Sequence, residues 1–197
     1  MAKNFQEQLF KTSLKDRIVA KGHRPLAIWF TGLSGAGKST IADALEQKLI
    51  AEKIHTYILD GDNIRHGICR DLDFSSDDRT ENIRRVGEMT ALFVDAGITV
   101  ISSFISPFIA DREIAKQTIG QDYFLEVYIN TSLKTCEERD PKGLYKKVRS
   151  GSISNFTGIS SPYEEPINPD IEIKTEHETV EEAVEKIWNT IQPKLKL

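Results

Sequence analysis

A glycine-rich segment carries the clearest chemical signal in this sequence of 197 residues. Its residues fit the pattern G-x-x-x-x-G-K-[ST] and are Gly32, Leu33, Ser34, Gly35, Ala36, Gly37, Lys38 and Ser39, followed by Thr40. The glycines let the backbone turn so that successive N–H groups point at phosphate oxygens, and the start of a following helix adds a partial positive charge. Lys38 can then reach the β- and γ-phosphates, and the Ser39 hydroxyl can ligate Mg²⁺. The segment predicts a P-loop that binds ATP and Mg²⁺.

An acidic turn elsewhere in the chain supplies the carboxylates that such a loop needs. The predicted third strand ends in hydroxyl residues, Ser102 and Ser103, where a motor protein would carry an acid, and the chain lacks the N-K-x-D element of a GTPase. Asp60-Gly61-Asp62-Asn63 instead stands at the carboxyl end of the predicted second strand, and residues at and beyond such ends border the ligand crevice in a doubly wound sheet. Asp62 can accept the proton of an attacking hydroxyl or hold Mg²⁺ through water. The alternative is a turn-forming aspartate.

Basic side chains near that turn suit an anionic substrate. Arg65 follows the turn closely, and Arg79 and Asn82 stand three residues apart, so that both project from one face of a predicted helix. Together with Lys142, the two arginines can clamp a doubly anionic group, because guanidinium pairs with phosphate or sulfate oxygens in a forked geometry. The pattern predicts a kinase that acts on a small anionic molecule.

Residues 140–169 differ in composition from the rest of the chain. They are rich in Gly, Ser and Pro and include a basic cluster, and a segment of this length without strong periodicity is either functional or disordered. Its aromatic and basic residues favour a lid over an anionic ligand. Phe74 and Phe156 lie in polar, loop-like contexts and can sandwich a purine ring, although a core position is the alternative for each of them.

Strand-like and helix-like segments alternate along the chain, which is typical of an α/β fold. We expect a doubly wound parallel sheet of about five strands, with helices on both faces, of the P-loop NTPase type. The predicted strands are residues 26–32, 56–62, 98–102, 123–129 and 171–174, and the predicted helices are residues 38–53, 78–96 and 179–191. One domain, residues 26–197, would follow a helical N-terminal arm, residues 1–25.

Bulk properties narrow the class of protein. The formal net charge of −4 argues against a nucleic-acid scaffold, and no apolar run approaches the roughly 20 residues that cross a bilayer. The N-terminus lacks the apolar region and cleavage site of a secretory signal. Cys69 and Cys136 are too few and too far apart to suggest a disulfide framework or a zinc site. We expect a cytoplasmic protein with two reduced thiols.

Residues 26–170 resemble the adenylylsulfate kinase family. The motifs that carry the resemblance occur in one order and are GLSGAGKST at 32–40, DGDNIRHG at 60–67, DRTENIRRVGE at 78–88, SFISP at 103–107, RDPKGLY at 139–145 and FTGISSPYEEP at 156–166. The resemblance implies transfer of the ATP γ-phosphoryl group to the 3′-hydroxyl of adenosine 5′-phosphosulfate (APS). It also implies a homodimer, since relatives are commonly dimers.

The resemblance further implies the residues of both nucleotide sites. The implied APS site consists of Asp62, Asn63, Arg65, Phe74, Arg79, Asn82, Ile105, Ser106, Lys142, Leu144 and Phe156. Arg139 and the segment around Thr175 are similar to the part of the family that borders the ATP base. The position of Ser106 is described in some members as a phosphorylated intermediate, which implies a catalytic serine beside Lys38 and Asp62. Direct in-line transfer needs no such covalent step.

The chain departs from the family at two positions beside the expected substrate site. Cys69 replaces an amide, and Asp73 replaces a glycine next to Phe74. A carboxylate there would weaken binding of a doubly anionic ligand unless its side chain points to solvent. Two other functions stay open on the sequence: a P-loop kinase of another nucleotide or small alcohol, and a nucleotide-binding regulatory protein that has lost transfer.

Overall fold

A five-stranded, fully parallel sheet forms the centre of the computed structural model, which describes residue 8 and residues 10–197. The strands, numbered in chain order, are β1 Ala27–Thr31, β2 Thr56–Asp60, β3 Thr99–Ser103, β4 Phe124–Asn130 and β5 Ile171–Lys174. Their order across the sheet is β2-β3-β1-β4-β5, and each neighbouring pair is parallel. The chain therefore winds outward from β1 in both directions, and the predicted doubly wound sheet is confirmed.

Eight helices in the described part of the chain surround this sheet. They are α1 Leu14–Lys21, α2 Lys38–Ala51, α3 Gly61–His66, α4 Ser76–Asp95, α5 Ile109–Ile119, α6 Leu133–Arg139, α7 Leu144–Arg149 and α8 Val180–Leu195. The three predicted helices correspond to α2, α4 and α8, with ends shifted by a few residues. Helix α5 was not predicted, because its inner face carries Asp111 and Arg112 beside Ala115 and Ile119 and so lacks an apolar repeat.

Strand β2 is shorter than predicted. It was expected to continue to residue 62 but ends at Asp60, because Asp60 caps the short helix α3: its Oδ1 accepts a hydrogen bond from the backbone N–H of Asp62 at 3.0 Å. Asp62 consequently lies in the first turn of a helix and not at the end of a strand.

The sheet buries apolar side chains on both of its faces. On β1, Ile28 and Phe30 pack in a cluster with α2 and α8, whereas Ala27 and Trp29 pack in a second cluster with α4 and α5. All five residues of β1 are buried, as expected for a central parallel strand covered on both sides. Helices thus cover both faces, as predicted, and the carboxyl ends of the strands stay open.

The described part of the N-terminal arm is fastened to the domain. Ser13 and Asp16 form a capping box that starts α1. The guanidinium of Arg17 donates to the Asp95 carboxylate at 2.8 Å, and the Arg24 N–H donates to the Leu195 carbonyl at 2.9 Å. Residues 1–7 and 9 of the predicted arm lie outside the described residues. Of the helices that are described, none is long and apolar enough to span a membrane.

The predicted lid segment, residues 140–169, has a helix of its own and a fastened downstream part. Helix α7 lies within it. Further on, the Glu164 N–H donates to the Pro107 carbonyl at 2.8 Å, and its Oε2 accepts from the Ile109 N–H at 2.7 Å. The Tyr163 hydroxyl lies 3.0 Å from the Thr31 Oγ1. Only the upstream part of the segment is therefore free of such ties to the loop after β3.

A buried histidine joins the arm to the sheet at the end opposite the open strand ends. His23 Nδ1 donates to the Arg24 carbonyl at 3.0 Å, and its Nε2 accepts from the backbone N–H of His55 at 2.9 Å. These contacts require a neutral ring, because a proton on Nε2 would face the His55 N–H. Burial accordingly lowers the pKa of His23 below its usual 6.5.

We expect His23 to make the fold acid-sensitive. Below about pH 6.5 the unfolded chain takes up a proton at His23 more readily than the folded chain, so the free energy of unfolding decreases as the pH is lowered, by up to about 1.4 kcal/mol per unit. His23→Gln should remove this part of the slope in urea unfolding between pH 5 and 7. The exposed His66, replaced by Gln, is the matched control and should retain the slope; an unchanged slope in His23→Gln would contradict the assignment.

Candidate functional site

A cavity of about 960 Å³ opens at the carboxyl ends of the strands. It collects most of the side chains that the sequence singled out, namely Ser34, Gly35, Gly37, Lys38, Ser39, Thr40, Asp62, Arg65, Phe74, Arg79, Asn82, Ile105, Ser106, Arg139, Lys142, Leu144, Phe156 and Thr175. The remaining predicted residues, Gly32, Leu33, Ala36 and Asn63, do not line it. The parallel sheet explains this convergence, because all five carboxyl ends meet at one edge.

The glycine-rich loop connects β1 to α2 and needs glycine at two positions for definite reasons. At Gly32 a Cβ would lie 2.5 Å from the Ile129 carbonyl oxygen of the neighbouring strand. Gly37, at the N-cap of α2, has φ of 105°, a left-handed conformation that side chains rarely adopt. The loop thereby presents backbone N–H groups and the start of α2 to the cavity, which is an anion-binding arrangement.

Lys38 is buried at the start of α2, and no carboxylate of the described residues is bound to it. Its Nζ donates to the carbonyl oxygens of Gly32 and Leu33, each at 2.8 Å. Burial lowers the pKa of Lys38 from its usual 10.5 to about 8, because the charged form loses hydration. An ammonium held only by neutral carbonyls is well placed to move onto a phosphate oxygen.

Ser39 meets a carboxylate that sequence reasoning had not placed in the site. Its hydroxyl donates to Asp60 Oδ2 at 2.8 Å. Asp60 was visible in the acidic turn, but the prediction chose Asp62 because β2 was expected to run on to residue 62. A hydroxyl and a carboxylate from adjacent elements suit Mg²⁺, which takes oxygen ligands and keeps several waters. The described residues contain no cluster of three or more His, Cys, Asp or Glu for a metal.

Asp62 and Lys142 form an ion pair across the mouth of the cavity. Asp62 lies in the first turn of α3, and Lys142 lies just before α7 in the predicted lid. Both side chains are more than half exposed, so the pair contributes little stability in water. A ligand that offers a hydroxyl to Asp62 and an anionic group to Lys142 would replace this pair by two separate contacts.

Arg79 is a buried cation surrounded by neutral acceptors. Its Nε donates to the Phe74 carbonyl at 3.1 Å, one terminal nitrogen donates to the Thr157 hydroxyl at 2.6 Å, and the other donates to the Asn155 carbonyl. Burial and then the nearby Arg65 lower the pKa of Arg79. On the next turn of α4, the buried Asn82 has a side-chain oxygen without a hydrogen-bond partner among the described residues. The Arg79 guanidinium and the Asn82 side-chain oxygen thus give this wall of the cavity groups that suit an anionic and polar ligand.

Arg65 and Phe74 lie together at the rim of the same wall. The Arg65 guanidinium stands 4.5 Å from the centre of the Phe74 ring and donates to the carbonyls of Leu72 and Asp73 at 3.2 and 3.0 Å. Phe74 itself is 60% exposed, which is unusual for a core phenylalanine but suits a stacking surface. The Asp73 residue is exposed and does not line the cavity.

The opposite aromatic, Phe156, is held by a residue of the lid helix. Tyr145 packs edge-on against it, with ring centres 5.0 Å apart and planes at 73°. The buried Tyr145 also donates its hydroxyl proton to the Ser34 carbonyl of the glycine-rich loop at 2.8 Å. This contact, which the sequence did not reveal, joins the lid to the loop.

Ser106 lines the cavity but its hydroxyl is engaged. The indole N–H of Trp29 donates to Ser106 Oγ at 3.2 Å, and the Arg112 guanidinium donates to the Ser106 carbonyl at 2.7 Å. Ser106 also adopts a φ of 39°, which is uncommon outside glycine. No carboxylate or imidazole is hydrogen-bonded to this hydroxyl among the described residues. These contacts give the loop after β3 a fixed shape.

Arg139 and Thr175 meet beside the glycine-rich loop. The Arg139 guanidinium donates to the Thr175 hydroxyl at 2.9 Å and to the Thr175 carbonyl at 3.0 Å. The Thr131 hydroxyl lies 2.6 Å from that of Thr175 and donates to the Ala36 carbonyl at 3.0 Å. The cavity thus extends from the loop in two directions, one toward Arg79 and the other toward Arg139.

Comparisons with known proteins agree with this geometry. Residues 24–174 match the family model described as Adenylylsulphate kinase. A curated adenylyl-sulfate kinase of Oceanobacillus iheyensis is 53% identical over 186 residues, which cover 93% of this chain and 94% of that relative. One of Vibrio parahaemolyticus is 54% identical over 176 residues, covering 89% and 86%. The solved structure of the Mycobacterium tuberculosis APS kinase CysC in complex with AMPPNP and APS matches with a TM-score of 0.82 at 44% identity, covering 86% of this chain and 98% of that one.

We expect nucleotide binding at high pH to be coupled to the uptake of a proton by Lys38. Above pH 8 Lys38 of the free protein loses its proton, whereas the phosphates of a bound nucleotide raise its pKa. Binding therefore takes up a proton, and the affinity for the nucleotide falls by up to about tenfold for each unit by which the pH rises above 8. Calorimetry of ATP binding at pH 9, in buffers of different ionisation enthalpy, should detect uptake approaching one proton, against almost none at pH 7. Lys38→Arg stays charged and should show no uptake at either pH. Absence of uptake by the wild-type protein at pH 9 would contradict this role.

Proposed function

We propose, since this chain belongs to the adenylylsulphate kinase family, that it transfers the γ-phosphoryl group of ATP to the 3′-hydroxyl of APS. The products are ADP and 3′-phosphoadenosine 5′-phosphosulfate. The observation that carries the proposal is a cavity that is lined both by the glycine-rich loop and by Arg79, Phe74 and Phe156. Arg79 is buried, and among the described residues it donates only to neutral oxygens. One nucleotide has its phosphates on the loop, and a second anionic nucleotide has its place beyond it.

ATP occupies the loop and the branch of the cavity toward Arg139. Backbone N–H groups of the loop and the start of α2 hold its phosphates, while Lys38 leaves the loop carbonyls for the β- and γ-phosphates. Ser39 and Asp60 would hold Mg²⁺, directly or through water, and the metal neutralises charge that develops on the transferred group. Asp60 extends the predicted metal ligand, Ser39, to a pair.

APS occupies the other branch of the cavity. Phe74 and Phe156 stack on its base, and Arg65 with Arg79 meets its phosphate and sulfate oxygens in the forked geometry of guanidinium. Asn82 offers its free side-chain oxygen to a donor on the ligand. The lid closes this branch with Lys142 and Leu144, and Ile105 completes its wall. Asn63 is exposed and outside the cavity wall, so a contact from it requires movement of α3.

The transfer proceeds in line and without a phosphorylated serine. Asp62 accepts the proton of the 3′-hydroxyl after Lys142 has turned to the substrate. The Ser106 hydroxyl accepts a hydrogen bond from the Trp29 indole N–H, and no carboxylate or imidazole of the described residues is hydrogen-bonded to it. We therefore assign Ser106 the role of positioning the loop that carries Ile105. The exposed Asp73 does not enter the cavity, which supports an active kinase and not a silent regulatory protein.

We further propose a cytoplasmic homodimer. Both cysteines are buried and unpaired, which fits a reducing compartment. Exposed apolar side chains on neighbouring elements at one edge of the sheet, Tyr57 of β2 and Leu92 of α4, support burial of that edge in a second copy. Residues 26–197 act as one kinase domain, and residues 140–155 as its moving lid.

A coupled assay of ADP release tests the function. Purified protein with ATP and Mg²⁺ should turn over rapidly with APS, and slowly or not at all with AMP, nucleosides or small alcohols. The sulfated product is identified by mass spectrometry. Rapid turnover confined to a non-sulfated acceptor would replace this function by that of another P-loop kinase, and binding of both nucleotides without product would favour the regulatory alternative.

The two aspartates near Phe74 have different expected roles. Asp62→Asn keeps the shape of the side chain but removes the proton acceptor, so we expect kcat to fall about 10²- to 10⁴-fold with the melting temperature unchanged. Asp73→Asn, the matched control, should keep kcat and change the KM for APS less than about threefold. Near-normal turnover by Asp62→Asn would remove Asp62 from the catalytic role.

A further inference from the structure

Glu178 has a carboxylate oxygen that no contact in the described residues explains. The residue lies in the loop between β5 and α8 and lines the cavity. Its Oε1 accepts from the Lys186 ammonium at 3.0 Å and from the Lys174 N–H at 3.4 Å. Its Oε2 is buried and has no hydrogen-bond partner. Leaving a buried carboxylate oxygen unpaired costs stability, so the position calls for a ligand.

The same loop lies where the base of the loop-bound nucleotide must be. Thr175 Cγ2 stands 3.8 Å from the place that a Cβ on Gly37 would occupy, at the very start of α2. Thr175, Glu178, Val180 and Arg139 all line this part of the cavity, and Arg139 donates to the Thr175 hydroxyl and carbonyl. A triphosphate held at Lys38 and Ser39 therefore directs its base toward Arg139 and the Glu178 loop.

We propose that Glu178 determines the specificity for adenine by accepting a hydrogen bond from the 6-amino group of ATP. The proposal rests on the proposed function, in that ATP is the donor bound at the loop. Oε1 accepts from Lys186, which leaves Oε2 as the free acceptor. The terminal torsion of a glutamate is soft, so a small rotation turns Oε2 from the wall into the cavity, and the flexible Lys186 side chain follows Oε1.

The chemistry of the carboxylate distinguishes the purines. An ionised carboxylate only accepts hydrogen bonds, and the 6-position of adenine donates. Guanine and hypoxanthine present an oxygen at that position, which also accepts, so two acceptors would face each other in a buried place. A site built to pair with an N–H group rejects the analogue that lacks it, because its own polar group is left unpaired.

Nucleotide binding by the wild-type protein provides the first test. Dissociation constants are measured by calorimetry with Mg²⁺ and without APS, for ATP, for purine riboside triphosphate, which has hydrogen at the 6-position, and for GTP. We expect the analogue to bind about 10- to 100-fold more weakly than ATP, and GTP at least as weakly as the analogue. Equal affinity for ATP and the analogue would overturn the proposal.

Variants then assign the effect to one oxygen. Glu178→Gln can both accept and donate, so it should reduce the preference for ATP over GTP to about threefold or less. Glu178→Ala should bind ATP and the 6-hydrogen analogue alike. Glu181→Gln is the matched control, because Glu181 is a nearby exposed glutamate that does not line the cavity, and it should keep the wild-type ratios. An unchanged ratio of the dissociation constants for ATP and GTP in Glu178→Gln would contradict the assignment of adenine specificity to Glu178.

These measurements separate the inference from the function on which it rests. Binding ratios are read in the absence of APS, so they stand or fall independently of phosphoryl transfer. Absence of any nucleotide binding, or transfer to a non-sulfated acceptor, would count against the proposed function. Base-independent binding together with normal turnover of APS would count against Glu178 alone.

Discussion

The site depends on keeping buried cations without carboxylate partners. Lys38 and Arg79 are both buried, yet among the described residues their hydrogen bonds go only to carbonyl and hydroxyl oxygens. The buried Arg112, by contrast, is paired with Glu126 at 2.8 Å, where it holds the fold and no ligand. Burying an uncompensated charge is unfavourable, and the parallel sheet tolerates it because packing on both faces stabilises the structure elsewhere. In the proposed function, phosphate and sulfate oxygens supply the missing negative charge.

The predicted lid segment, residues 140–169, combines a part that is fastened to the domain with a part that we propose to move. Tyr163 and Glu164 are hydrogen-bonded to Thr31, Pro107 and Ile109, so this part of the segment belongs to the body of the domain. Upstream, residues 140–155 contact the rest of the domain through Lys142, which pairs with Asp62, through Tyr145, which donates to the Ser34 carbonyl, and through Arg149, which pairs with Glu137. In the proposed function, substrate contacts can therefore change the position of the lid, residues 140–155, without disturbing the loop after β3.

Most of the fold was predictable from the sequence, and the failures have local causes. Short apolar runs marked the strands, the first two of them ending in glycine or acids, and the phosphate loop was recognised because its spacing is set by backbone geometry. Helix α5 was missed because Asp111 and Arg112 face inward. Asp60 was passed over because side-chain capping, which ends β2, cannot be read from periodicity. Tyr145 escaped notice since its partner Ser34 is distant in sequence, and Glu178 escaped notice because the burial of one carboxylate oxygen depends on tertiary packing.

The hydrogen bond from Tyr145 to the Ser34 carbonyl bears on how the enzyme would finish a catalytic cycle. Tyr145 contacts the glycine-rich loop through Ser34 and packs edge-on against Phe156. In the proposed function the loop holds ATP and Phe156 stacks on APS, so opening of the lid breaks the bond to Ser34 and departure of the sulfated product weakens the binding of ADP at the same moment. Release of the two products then becomes a concerted event, and its barrier, more than the chemistry, is a natural place for the slowest step.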